Sequence, residues 1–266
     1  MAAPKITLYV DTISPFTYIA YYILRHDEVF KGCDITYVPI LLGGLMKKCG
    51  NTPPNRIQNK QAWIYNERLR WAELFSVPMT VPLPPDFPVP TVPIMRALCA
   101  LAAADAADAA SSATPAGTTS QQQQPRLIKA LDALYARYWA DAVAIHHPEV
   151  LRETLAGLFG ADEAERILTQ STTPEVKQAL INNTDAAFDS GAFGLPWLVC
   201  TTTSTGTSDS KKTEAFFGVD HLGRAAHFLG LERPGSGSGS SATSGKGSVS
   251  GNGKAEGGAE GWKALL

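Results

Sequence analysis

The chain has 266 residues, 44% of them apolar and 18% charged, with a net charge of −2. That length suits one large domain or two small ones, and the balance suits a globular protein with a sizeable core. It offers no basic face for nucleic acid or an anionic membrane, and no run approaches the ~18 to 20 apolar residues of a membrane span.

"KITLYV" at residues 5–10 alternates like a strand. Strand pattern beginning at Lys5 leaves no room for a secretory leader, so a soluble intracellular protein is expected, cytoplasmic by default. The C-terminal Ala-Leu-Leu does not match a Ser-Lys-Leu peroxisomal signal. Residues 15–26 predict a helix, with Phe16, Ile19, Ala20, Ile23 and Leu24 on one stripe. Residues 34–41 predict a second strand, with Pro39 marking an edge or an end. Together they read as a βαβ unit with parallel strands.

"GGLMKKCGNTPPN" reads as a turn-rich loop, and 59–76 as a helix on which Glu67, Arg68 and Arg70 form a solvated face. "VPMTVPLPPDFPVPTVP" carries too many prolines for a helix or a central strand and is expected to be a stiff surface excursion. Residues 94–110 read as an alanine-rich helix, and low-complexity 111–124 as a disordered loop. Helices are expected at 125–142, 148–159, 162–170 and 174–188. Strands follow at 197–201 and in "TEAFFG", separated by a polar loop over 202–212. A short helix at 219–230 and a flexible Gly/Ser-rich tail at 234–266 complete the chain.

The order is βαβ, a helical block, then ββα. Two strands at either end are too few to stand alone, so they must share one sheet. The expected division is 1–60 with 190–233 as one unit, and 61–189 as a helical insertion.

Ser14-Pro15 at the strand-to-helix junction has two readings. Ser14 suits a helix N-cap with Pro15 at the first helical position. The same place is an anion site, with free N–H groups, a helix dipole and a hydroxyl. Pro196 in "FGLP" is a turn residue or a cis bond beside a ligand. Asp220 caps the last helix or binds an ammonium, and the N–H groups of Asp220 and His221 suit a carboxylate. Asn51 and Lys60 read locally as ordinary loop polar residues. His146-His147 gives no metal-ligand spacing, so no metal is expected. Cys33, Cys49, Cys99 and Cys200 form no C-x-x-C pair and read as reduced thiols.

"DTISPFTYIA", "GGLMKKCGNTPPN" with "NK" after it, "VPM", "GAFGLP" and "FGVD" together resemble the kappa-class glutathione transferases. These belong with the related 2-hydroxychromene-2-carboxylate isomerases in the thioredoxin-like superfamily. The resemblance spans Lys5 to about Leu231. It implies an α/β fold, a thioredoxin-like βαβ–ββα domain with a large all-helical insertion. It implies glutathione as co-substrate, no metal, a small electrophilic partner and a homodimer, with mitochondria or peroxisomes as alternative compartments. Ser14 would face the glutathione sulfur. Asn51 and Lys60 would lie near the tripeptide's polar ends, and Leu195, before a cis Pro196, would pair with its cysteinyl backbone. Asp220 and His221 would meet the γ-glutamyl end. The family's serine, aspartate and arginine after "FG" are here Val219, Asp220 and His221. The implied activity is thiolate attack on an electrophile, with peroxidase, isomerase and non-catalytic binding as alternatives. Ser14 and Thr17 stand where dithiol relatives carry the two cysteines of C-x-x-C, so disulfide exchange is disfavoured.

Overall fold

The computed structural model describes residues 3–111, 118–202 and 211–231. Its sheet has four strands: β1 (Lys5–Val10), β2 (Asp34–Pro39), β3 (Trp197–Thr201) and β4 (Thr213–Phe217). They lie in the order β2-β1-β3-β4. β1 and β2 are parallel, joined by helix α1 (Pro15–His26), while β1–β3 and β3–β4 are antiparallel. The ends of the chain therefore share one sheet, as the strand count required.

α1 begins at Ser14, whose side chain accepts from the Thr17 N–H, and Pro15 occupies the first turn. Of its apolar stripe Ile19, Ala20, Ile23 and Leu24 are buried and Phe16 half-buried, and Arg25 and His26 complement the dipole at its end. β2 stops at Pro39 rather than at Leu41. It lies at the sheet's edge, where a proline's missing N–H breaks no ladder.

The stretch expected to be a turn-rich loop contains helix α2 (Leu42–Lys48). Two glycines and the lack of a local cap hide it from sequence reading. Its first-turn N–H, that of Leu42, is capped from outside by the Asp11 carboxylate at 2.9 Å. Leu45 then buries in a small cluster with Tyr9, Ile40, Leu195 and Trp197. Tertiary contacts stabilise a helix that local propensity alone would not form.

The helical block comprises α3 (Lys60–Leu74), α4 (Val92–Ser111), α5 (Pro125–Tyr135), α6 (Pro148–Phe159), α7 (Ala161–Gln170) and α8 (Pro174–Asp189). α5 ends in a wide π turn, Ala136–Ala140, instead of continuing to residue 142. That turn carries two adjacent aromatics, Tyr138 and Trp139, both fully buried. A short turn, Val219–His221, precedes α9 (Leu222–Phe228). The main buried cluster runs without a break from the sheet into the helices, joining Leu8, Ile19, Leu98 and Leu131. No helix among the described residues is long and apolar enough to cross a membrane.

Two more expectations need correction. Arg68 is not on a solvated face: it is 2% exposed and donates to the carbonyls of Thr80, at 2.9 Å, and Val81. The helix's outer pair is Glu67–Arg70. Of the expected disordered loop 111–124, residue 111 ends α4, 112–117 lie outside the described residues, and 118–124 are ordered. The Gln124 amide both donates to the Tyr37 carbonyl and accepts from the Tyr37 N–H, each at 3.0 Å. Gln121 accepts from the Ile35 N–H at 3.3 Å. Glutamine side chains thus satisfy the outer edge of β2, which would otherwise offer unpaired backbone groups. The core of the 202–212 loop and the 234–266 tail lie outside the described residues.

Candidate active site at the end of the sheet

Strand register gathers the site. Tyr9 pairs with Trp197, and Trp197 with Phe217. The next residues along, Val10, Pro196 and Gly218, therefore form a row across one end of the sheet. The Gly218 N–H donates to the Pro196 carbonyl at 3.0 Å, and on the other side the Ile40 N–H donates to the Val10 carbonyl at 2.9 Å. Chain segments leave this row at three places. β1 runs through Asp11 to Ser14 and α1. Leu195 enters β3 through a cis bond to Pro196. Gly218 leads into the Val219–His221 turn, which packs on α1.

Ser14 is 5% exposed, and its Oγ accepts the Thr17 N–H at 3.1 Å. Its own N–H donates to the Asp11 carbonyl at 3.2 Å. Among the described residues the hydroxyl proton has no acceptor, which leaves it for a ligand atom at the positive end of the helix. Asn51 joins the site from the loop after α2, its amide donating to the Phe193 carbonyl at 2.7 Å, two residues before Leu195. Asp220 lies against Gly218. A Cβ on that glycine, whose φ is +95°, would fall 2.2 Å from Asp220 Oδ1. His221 Nδ1 is 3.4 Å from the Asp220 carboxylate. Ser14, Asn51, Leu195, Pro196, Asp220 and His221 thus border one sheet end. Lys60 does not join them: it is exposed at the first turn of α3, with no described contact to the row.

Sequence reading missed what lies beneath Ser14. Asp11 is fully buried, and its oxygens accept from the Leu42 N–H (2.9 Å), the Thr91 hydroxyl (3.1 Å) and the Ile13 N–H (3.2 Å). Burial pushes its carboxyl up to about 6, although those three donors pull the other way. Trp139 donates its indole N–H to the Thr12 carbonyl at 2.9 Å, and Tyr135 stacks on Tyr18 with centroids 5.2 Å apart. The strand end and helix start are therefore held from below by α2, α4 and the π turn. The signal was present: a carboxylate directly ending an apolar strand is seldom left without partners.

The three buried thiols are poorly suited to chemistry. Burial pushes Cys33 up to about 11, and Cys99 and Cys200 to about 12, so these three are neutral at physiological pH. Cys49, the fourth, lies beside the Phe193 carbonyl at 3.7 Å. The proline-rich segment, expected as a surface excursion, is tied inward at several points. Thr80 N–H donates to the Trp139 carbonyl at 2.8 Å, Phe87 meets the Trp139 ring edge to face, and Thr91 reaches Asp11.

A βαβ–ββα sheet with a helical block between its halves, and a helix starting beside a cis-proline, defines a thioredoxin-like protein. The chain belongs to the family of the DSBA-like thioredoxin domain, which it matches over residues 5–230. It is 29% identical over 235 residues to glutathione S-transferase kappa 1 of Rattus norvegicus, covering 86% of this chain and 92% of that one. Against glutathione S-transferase kappa 1 of Caenorhabditis elegans the identity is 26% over 232 residues, covering 87% and 93%. Among solved structures, a 2-hydroxychromene-2-carboxylate isomerase superposes with a TM-score of 0.60 at 20% identity, over 85% of this chain and 94% of that one. A probable DsbA oxidoreductase from Streptomyces coelicolor superposes with a TM-score of 0.55 at 17% identity, over 87% and 92%. These two superpositions speak to the fold.

Proposed function

We propose that the protein is a glutathione transferase in which Ser14 holds the glutathione sulfur as a thiolate for attack on an electrophilic carbon. The observation that carries this reading is a serine hydroxyl, its proton unspent, capping the helix where a dithiol enzyme needs a cysteine. Three of the four cysteines are buried and neutral, and the helix start carries Ser14 instead of a cysteine, which supports a reading in which the reacting thiol arrives with the ligand. The similarity to kappa-class enzymes over most of the chain supports glutathione as that ligand.

In this reading the Leu195 backbone pairs with the cysteinyl unit. Asp220 and His221 receive the γ-glutamyl end, and Asn51 holds the 193–195 segment in place. Lys60, on a solvent-exposed first turn, meets a terminal carboxylate as the ligand binds. A free thiol ionises near pH ~8.5, so a shift of ~2 units requires about 2.7 kcal/mol of differential stabilisation. One charge-assisted hydrogen bond at ~1.5 to 3 kcal/mol with a helix-dipole contribution of ~0.3 to 1 suffices. The electrophile packs against the apolar segment around residues 78–91.

The test is Ser14→Ala with saturating glutathione, following thiolate absorbance against pH. The bound thiol should ionise ~1 to 2 units higher, and conjugation of a chloronitroarene at neutral pH should fall about tenfold, with partial recovery at pH ~9. Coincident titration curves would make Ser14 a cap only and direct the search to Thr12 and Thr17. Isomerisation of a hydroxychromene carboxylate, assayed beside conjugation, distinguishes the transferase from an isomerase.

A further inference from the structure

Asp86, in the proline-rich segment, meets the loop between the π turn and α6 on the outside of the helical layer. His146 Nε2 lies 3.6 Å and His147 Nε2 3.9 Å from the same atom, Asp86 Oδ2. One ligand atom from each residue falls within 4.8 Å of the other two. Adjacent histidines diverge on a helix, which is why no metal-ligand spacing is legible in this pair. Here they lie in irregular chain, and their rings stand edge to face with centroids 4.4 Å apart. Behind His147, Glu149 Oε1 sits 3.2 Å from Nδ1. A carboxylate on that nitrogen fixes the proton there and leaves the Nε2 lone pair turned toward Asp86.

We propose that Asp86, His146 and His147 form a site for a divalent first-row transition ion of the zinc or copper type, with water completing the coordination. Two imidazoles and one carboxylate match those ions, whereas magnesium and calcium call for all-oxygen shells. Metal–ligand bonds of about 2.0 to 2.2 Å place neighbouring tetrahedral ligands about 3.3 to 3.6 Å apart. The two Asp86–histidine separations, 3.6 and 3.9 Å, are within a few tenths of an ångström of that spacing, and the Asp86 side chain, 70% exposed, is free to adjust; the two ring nitrogens, within 4.8 Å of each other, would be drawn together by rotation of the rings. The ion would strap the proline-rich segment to the loop after the π turn. Phe87, next to Asp86, packs on Trp139, and Trp139 holds the Thr12 carbonyl, so the strap would stiffen the support beneath Ser14. This inference does not depend on the transferase reading.

The experiment uses the full chain stripped with a chelator, titrated with zinc by calorimetry and with cobalt by visible absorption. One ion per chain should bind in the micromolar range, with zinc displacing cobalt, and zinc should raise the melting temperature. Asp86→Asn and His147→Ala should each weaken binding at least tenfold and remove the rise in melting temperature, and Glu149→Gln should weaken it by ~10-fold or more. A His26→Ala/His227→Ala control should bind as wild type. Failure to bind one equivalent below ~1 mM, or unchanged affinity in Asp86→Asn and in His146→Ala/His147→Ala, would overturn the site.

Discussion

Asp11→Asn tests whether the end of β1 is built around a buried carboxyl that resists ionisation. Its carboxyl ordinarily titrates near 3.8 and burial raises it to about 6. A difference of about 2 units at 1.36 kcal/mol each makes the pH-dependent part of its contribution roughly 3 kcal/mol. Below pH ~4 folded and unfolded chains both hold the proton, and that stability is fully present. Between pH ~4 and ~6 the unfolded chain releases its proton while the folded one keeps it, so stability falls as pH rises. Above pH ~6 the loss is complete. Asparagine does not titrate, so the variant should lack this slope. It also has one acceptor oxygen where Asp11 presents two, and its amide would face either the Ile13 N–H or the Leu42 N–H and Thr91 pair. That mismatch adds a pH-independent cost of about 1 to 3 kcal/mol. Urea unfolding of both proteins from pH ~4 to ~8 isolates the effect, since every other titrating group cancels in the difference. The wild type's advantage should be greatest at the acid end and shrink by roughly 3 kcal/mol toward neutral pH. A difference constant within ~0.5 kcal/mol across that range would show that Asp11 titrates alike in both states, and the burial argument would fail.

Gly218→Ala should destabilise the fold by about 1 to 3 kcal/mol and weaken glutathione binding, because φ is +95° and the new methyl group must displace Asp220; thermal melts and ligand titration read the two effects. Arg68→Met should cost about 2 to 4 kcal/mol in urea unfolding, since it orphans the Thr80 and Val81 carbonyls beneath Trp139 while removing a charge whose burial is already costly. Gln124→Ala should cost about 1 to 2 kcal/mol and raise the tendency to aggregate, measured by light scattering, because it uncovers the β2 edge at Tyr37.

Sequence alone determined the elements whose pattern is local. β1, α1 and the shared sheet follow from alternation, a 3.6-residue stripe and the minimum strand count, and Ser14-Pro15 announces a helix start. The same residues, taken with "GAFGLP" and "FGVD", pointed to the family. What only the tertiary structure decided are features whose partners lie far along the chain. α2 forms because Asp11, 31 residues earlier, caps it. Arg68 is buried because the proline-rich segment folds back over it, and Gln121 and Gln124 are ordered because an edge strand 86 and 87 residues away needs partners. Hydrophobic periodicity reports which face of an element is apolar, but not which distant polar group will complete its backbone hydrogen bonds. The same reason hid the foundation of the candidate site: Asp11, Thr91 and Trp139 acquire their roles only when β1, α4 and the π turn converge under the start of α1.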